Sequence, residues 1–251
     1  MKKIILFLTA TALLTSCSKD KYTISGTAKG FENGKTVVLE AQDDKGMGLI
    51  PVDTVKIEDG KFEIKGKVTE PAFHTLQIEG VQGKIPFILE NGEITIVVNK
   101  DTIQKSKISG TYNNDEYVKF NEEITKIQKP LMDFQNANMQ KMQTAQQTKD
   151  TAVINSLMKE YTKIQTEIGN TSKNKYVDYA NTHPKAFISL LIIEGMSNDP
   201  TVDSKKIETM FNNLEASLKD SKHGKNVKTK LAAAKQPSVG ATAAPTGTPA
   251  K

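Results

Sequence analysis

The chain has no arginine, a single cysteine, and no apolar run longer than the eleven residues from Ile4 to Leu14. Every one of its 34 basic side chains is therefore a lysine. Lysine lacks the planar fork with which arginine reads guanine edges and grips phosphate at two points. That absence speaks against specific nucleic-acid binding, and no nucleic-acid partner is expected. Eleven helical residues rise only about 16 Å, roughly half of a bilayer's hydrocarbon core, so Ile4–Leu14 is too short for a lasting membrane span. The formal charge of +5 is mild. Lys219, Lys222, Lys225, Lys228, Lys230 and Lys235 face only Asp220. This cluster reads as a solvated helix end running into a tail, with contact to anionic lipid headgroups as the alternative.

What the short apolar run does supply is an export signal. Lys2 and Lys3 precede it, and Leu14, Thr15, Ser16 and Cys17 follow. Leu, two small residues and Cys resemble the lipobox of bacterial lipoproteins, whose cysteine is acylated and becomes the first mature residue. The resemblance implies lipidation at Cys17, removal of residues 1–16 and anchoring of the remaining 235 residues to a membrane. Ser18 is not the aspartate that favours inner-membrane retention, so the outer membrane of the cell envelope is the expected address. With Cys17 taken up by lipid no thiol remains, which excludes disulfide, thiolate and cysteine-zinc chemistry.

From Tyr22 to Thr111 apolar and polar residues alternate with period two, interrupted by Gly and Asn-Gly signals. A two-residue turn at Asp59-Gly60 sets Ile57 opposite Phe62 and Val55 opposite Ile64, with Glu58 and Lys56 facing Lys61 and Glu63. A second at Asn91-Gly92 sets Leu89, Phe87 and Ile85 opposite Ile94, Ile96 and Val98. Further strands are expected at Tyr22–Ala28, Thr36–Gln42, Phe73–Glu79 and Ser106–Thr111, making about eight short strands in a sandwich or open barrel.

At Asn113 the period changes. Tyr117, Phe120, Ile124, Ile127, Leu131 and Phe134 recur at steps of three and four, with Pro130 predicting a kink or break. Ile154, Leu157, Tyr161, Ile164 and Ile168 form a second stripe after the polar stretch Thr144–Asp150, predicting an antiparallel helical hairpin. A buried helix over Lys185–Met196 and an amphipathic one over Ser204–Leu218 follow, with Ile207, Phe211, Leu214 and Leu218 on one face. The fold class is thus α+β: an antiparallel β-sandwich-like amino-terminal domain, then an all-helical region with a long helical hairpin. The expected organisation is a signal peptide at 1–16, a lipidated tether at 17–21, the sandwich at 22–112, helices at 113–235 and a disordered Ala/Thr/Pro tail at 236–251.

No constellation points to a reaction. His74 shares a strand face with Ala72, Leu76 and Ile78, the setting of a hydrogen-bonded, partly buried histidine. His183 and His223 look like helix-boundary residues. Asp43 and Asp44 beside Gly46 and Gly48 lack a calcium loop's ligand spacing, and Gly46–Gly48 is too short for a phosphate cradle. Glu122 and Glu123 are adjacent on a helix, so their side chains diverge. Met132, Met139 and Met142 read as core filling, with an adaptable contact surface as the alternative. No catalytic residue, cofactor or metal is expected.

The strand Tyr22-Thr23-Ile24-Ser25-Gly26-Thr27, the turn Asp59-Gly60-Lys61-Phe62 and the exit Ile108-Ser109-Gly110-Thr111 resemble the uncharacterised amino-terminal domain of Bacteroidetes-type lipoproteins. In that family the domain commonly precedes a helical linker and a thioredoxin-like domain of the thiol-disulfide oxidoreductase or peroxiredoxin type. His183-Pro184 with the apolar run to Ile193 resembles the linker's His-Pro helix, and Ser221–Lys225 its closing helix. Val239, Gly240, Ala244 and Pro245 echo the entry to the redox domain with spacing off by one, and no Cys-x-x-Cys follows. The redox centre that the resemblance implies has no residues here to be carried onto. The expectation is a non-catalytic, membrane-anchored envelope lipoprotein that binds or positions something, with a protein partner reached through the helical hairpin. The alternative is an accessory component of a periplasmic thiol-disulfide oxidoreductase or peroxiredoxin system.

Overall fold

A computed structural model describes residues 21–43 and 48–234. Residues 1–20, with the expected signal peptide and Cys17, the loop residues 44–47 and the expected tail from 235 onward lie outside the described residues. Compact units divide between Asp115 and Glu116, and together they are α+β.

Among the described residues the first unit holds eight strands in two four-stranded sheets. These are β1 (Tyr22–Thr27), β2 (Thr36–Gln42), β3 (Leu49–Lys56), β4 (Lys61–Gly66), β5 (Ala72–Ile78), β6 (Ile85–Leu89), β7 (Gly92–Val97) and β8 (Lys107–Ser109). One sheet runs β4-β1-β7-β8 and the other β3-β2-β5-β6; only the β1–β7 pair is parallel. Ile24, Ile64, Ile94 and Ile96 from the first sheet share one core with Val37, Leu39, Leu76, Ile78 and Phe87 from the second. Period-two alternation puts every second side chain of β1, β2, β4, β5 and β7 into that core, at about 25 cal/mol per Å² of apolar surface removed from water, whereas β3 leaves Leu49, Ile50 and Val52 exposed.

Neither expected hairpin forms a two-stranded ladder. At Asp59-Gly60 both residues have positive φ, 49° and 69°, and Glu58 and Lys61 exchange backbone bonds of 2.9 Å, so the tight turn is present. Pairing stops there. Ile57 turns to Lys35 and Gly34, β3 continues along β2, and β4 pairs with β1 in the other sheet. At Asn91-Gly92 the separation is complete, with β6 on β5 and β7 between β1 and β8. Asn91 leaves the turn role and clamps the β4–β5 connection, accepting from Val68 N (3.1 Å) and donating to Val68 O (2.7 Å). Residues facing one another across a sandwich show the same alternation as residues paired across a hairpin, so the pattern fixes the buried face and not the strand partner.

Two close approaches depend on missing side chains. Gly26 lies opposite Phe62, and Gly66 opposite Tyr22, on the β1–β4 ladder. A Cβ at Gly26 would stand 2.0 Å from Phe62 Cζ, so the ring covers the glycine backbone and closes the core there.

The free edge of β6 is closed by an amide. Asn114, fully buried, accepts from Ile88 N (2.9 Å) and donates to Ile88 O (2.7 Å) and Thr111 Oγ1 (2.8 Å). It satisfies both backbone groups of an edge residue as a neighbouring strand would. Asn113 is held beside it by Glu90, through backbone N (2.9 Å) and side-chain Nδ2 (2.7 Å).

Six helices follow among the described residues: α1 (Tyr112–Thr148), α2 (Thr151–Thr182), α3 (Phe187–Ser197), α4 (Ser204–Asn213), α5 (Ala216–Asp220) and α6 (Lys222–Ala234). Of the kink or break expected at Pro130, the break does not occur, and α1 runs on through it. Pro130 and Lys126, whose carbonyl loses its donor, are both exposed, so water replaces the missing N–H. The expected polar connection Thr144–Asp150 shrinks to Lys149 (φ 57°) and Asp150, whose carboxylate accepts from Val153 N (3.1 Å) and caps α2. α1 and α2 form an antiparallel hairpin, with Phe120 against Tyr179 (ring centroids 4.5 Å) and Phe134 near Tyr161 (6.5 Å). α3 is the buried helix, enclosing Phe187, Ile188, Ser189, Leu190 and Ile193. The single helix expected over Ser204–Leu218 is two, because Leu214 is extended at ψ 153° and its side chain turns into the core with Leu218. α6 buries Gly224, Val227 and Leu231, so the lysine-rich segment through residue 234 is a packed helix.

Candidate functional site

Cys17, the one site residue expected from sequence, lies outside the described residues. Of the aspartate loop, Asp44 lies outside the described residues, and the Asp43 backbone N–H donates to Gly48 O at 2.9 Å. Among the described residues no group of three or more His, Cys, Asp or Glu side chains converges, and no helix is long and apolar enough to cross a membrane.

The histidines fall into three settings. His74 is 9% exposed, its Nδ1 3.2 Å from Ala72 O; burial holds its pKa below the ordinary histidine value, against that bond. His183, at the C-terminal cap of α2, stacks on Tyr179 (4.1 Å, 5°), with Nε2 3.6 Å from Glu116 Oε2. Glu116 also accepts from Tyr179 OH (3.0 Å) and Lys119 Nζ (3.1 Å). Burial pushes its carboxyl up, but those two hydrogen bonds and the Lys119 charge outweigh it and hold the pKa below the usual carboxylate range. His223 Nδ1 sits 2.5 Å from Glu194 Oε2, while Asn226 donates to Glu194 Oε1 at 2.8 Å. Sequence reading missed Glu116 and Glu194 as partners, because each is far from its histidine along the chain. Each pair fastens helix ends together; the other ring nitrogen of His183, Nδ1, lies 2.8 Å from Thr182 Oγ1, a hydroxyl also 2.8 Å from the Asp178 carbonyl of its own helix. Glu122 is exposed, and Glu123 pairs with Lys175 across the hairpin.

Apolar side chains remain partly uncovered along the helical hairpin. Of the eleven stripe residues on α1 and α2, only Phe120 and Leu157 are buried; the rest are half-buried along the seam. Near the hairpin's turn the seam opens into a cavity of about 730 Å³ lined by Phe134, Met139, Met142, Leu157, Met158 and Tyr161. Every other lining side chain is an Asn or Gln amide. Core filling does not describe Met132 and Met139, which are 50% and 65% exposed; Met142 is half-buried, and Met158 of α2 is 48% exposed. Met132, grouped with Met139 and Met142 by sequence, is outside the cavity, and Met158 of α2 takes its place.

No curated protein and no solved structure matches the chain. Residues 22–117 match the family model of a domain of unknown function (DUF4369), a span that runs from β1 into the first turns of α1. Residues 1–18 match the prokaryotic membrane lipoprotein lipid attachment site, and the protein is accordingly a membrane-anchored lipoprotein of the cell envelope.

Proposed function

We propose that this lipoprotein is a non-catalytic binding module, lipidated at Cys17, held at the outer membrane, and engaging a protein partner through the seam of the α1–α2 hairpin. The observation that carries the reading is the half-covered seam. Two long helices of about 55 and 48 Å present apolar stripes of which only Phe120 and Leu157 are fully enclosed. Apolar surface left in this state is stabilised when a second apolar surface removes it from water. The lipid supplies location without chemistry: about 0.8 kcal/mol per buried methylene makes several acyl chains a lasting anchor where one is marginal.

Photo-crosslinking in intact cells tests the reading. A photoreactive residue at Gln128 or Gln165, both exposed beside the seam, is expected to give discrete higher-mass adducts. The same probe at Glu63 or Thr95, on the outer face of the first sheet, is expected to give none. Adducts from the sheet alone, or from neither surface, would overturn it.

A further inference from the structure

We infer that Met139, Met142 and Met158 form a binding site for a soft monovalent metal ion, Cu(I) or Ag(I). This goes beyond the seam reading and does not depend on it. Met139 and Met142 are one turn apart on α1, which places their Cβ atoms about 5–6 Å from each other on one helix face. Met158 reaches the same cavity from the antiparallel helix α2. Three thioethers therefore line one open space, from two helices.

The chemistry of the lining selects the ion. Thioether sulfur is neutral, polarizable and soft, and it suits Cu(I), whereas carboxylates and water suit magnesium, calcium and manganese, and imidazole suits zinc. The cavity holds no carboxylate, imidazole or ammonium group among its lining residues. Its oxygen and nitrogen donors are neutral amides and the Tyr161 hydroxyl, and that hydroxyl already accepts from Gln165 Nε2 at 3.0 Å. A divalent ion would find no charge to balance it here. A monovalent one meets three sulfurs and the neighbouring rings of Phe134 and Tyr161, whose faces attract cations.

Exposure supports the same assignment. Leucine fills space as well as methionine and has similar helix propensity, so a thioether on an exposed helix face gains nothing by packing. Met139 and Met158 are nevertheless 65% and 48% exposed, with three rotatable bonds each to bring sulfur onto an ion arriving from solvent.

The test uses the full lipoprotein in detergent micelles, titrated anaerobically with Cu(I) against a chromophoric chelator and separately with Ag(I) by calorimetry. One equivalent of either ion is expected. Met139→Leu, Met142→Leu and Met158→Leu should each weaken binding at least tenfold, and the triple variant should abolish it. Met132→Leu, outside the cavity, should bind as wild type. Because thioethers carry no proton to displace, affinity should stay flat from pH 5.5 to 7.5, and copper-edge absorption should show sulfur as the main ligand. Leucine keeps volume and apolar surface, so circular dichroism of the triple variant should match wild type. No retention by wild type, undiminished binding by the triple variant, or a nitrogen-dominated shell whose affinity falls on acidification would overturn the assignment.

Discussion

Asn114→Asp should unfasten the edge of the sandwich at neutral pH and leave it fastened in acid. The carboxyl has the shape of the amide and keeps an oxygen for Ile88 N–H, 2.9 Å away in the wild type. The Nδ2 donor, which serves Ile88 O at 2.7 Å and Thr111 Oγ1 at 2.8 Å, is lost. Thr111's hydroxyl can rotate and donate to the new oxygen, but the Ile88 carbonyl cannot. Both Asn114 and Ile88 are fully buried, so an unpaired carbonyl and a desolvated charge together cost about 3 kcal/mol. That corresponds to a folded-state pKa raised by about two units, from about 3.9 to about 6. The native state then holds its proton more tightly than the unfolded chain. The penalty is therefore absent below about pH 4, grows up to about pH 6 and is complete above it. Urea unfolding and amide hydrogen exchange at β6, compared at pH 4 and pH 7, read this directly. Protection at Ile88 should fall about a hundredfold at pH 7, each 1.4 kcal/mol being tenfold. Protection within threefold of wild type at pH 7, or a loss of equal size at both pH values, would refute the argument.

Gly26→Ala should cost the sandwich about 2 kcal/mol or more in urea unfolding, since the new Cβ overlaps the Phe62 ring; Phe62→Leu in the same chain should recover part of it. His74 has a folded-state pKa below its unfolded value, so stability of the first unit should begin to decline as pH falls through about 6.5, and His74→Leu should remove that slope in thermal unfolding. Glu116 has a lowered pKa, so its contribution is present above about pH 4.5 and lost as pH falls through the folded value; Glu116→Gln should flatten helical stability between pH 5 and 3. Cys17→Ser should move the protein out of the membrane fraction and abolish the acyl mass increment, and retention with an unchanged mass shift would defeat the lipidation assignment.

Periodicity made the α+β class legible, since alternation at period two and then at three and four says which side chains are buried in each segment. It was silent on partners. Asp59-Gly60 forms its tight turn, yet the strands on either side part into different sheets, because Lys35 and Gly34 take the bonds of Ile57. Asn91-Gly92 carries the same dipeptide logic, but Asn91 is drawn to Val68. Asn113 marks the change of period, and its neighbour Asn114 turns out to seal a sheet edge 26 residues away in sequence. Pro130 signalled a kink or a break, and its exposure lets α1 run through without the break. The histidine partners Glu116 and Glu194 and the thioether Met158 are long-range neighbours, and no spacing rule reaches them. The methionines show the limit most plainly: their spacing on α1 was visible, while their exposure and the third sulfur required the hairpin.

The most direct test of the hairpin as the working surface is the double variant Ile124→Asp, Ile164→Asp, carrying a photoreactive residue at Gln128 and assayed in intact cells beside circular dichroism of the purified protein. Both isoleucines are half-buried on the seam, one from each helix. The seam account predicts that the adducts disappear, with a lowered melting temperature for the helices. A variant that keeps its helical signal, its melting temperature and every adduct would show that the seam is neither core nor interface, and would contradict it.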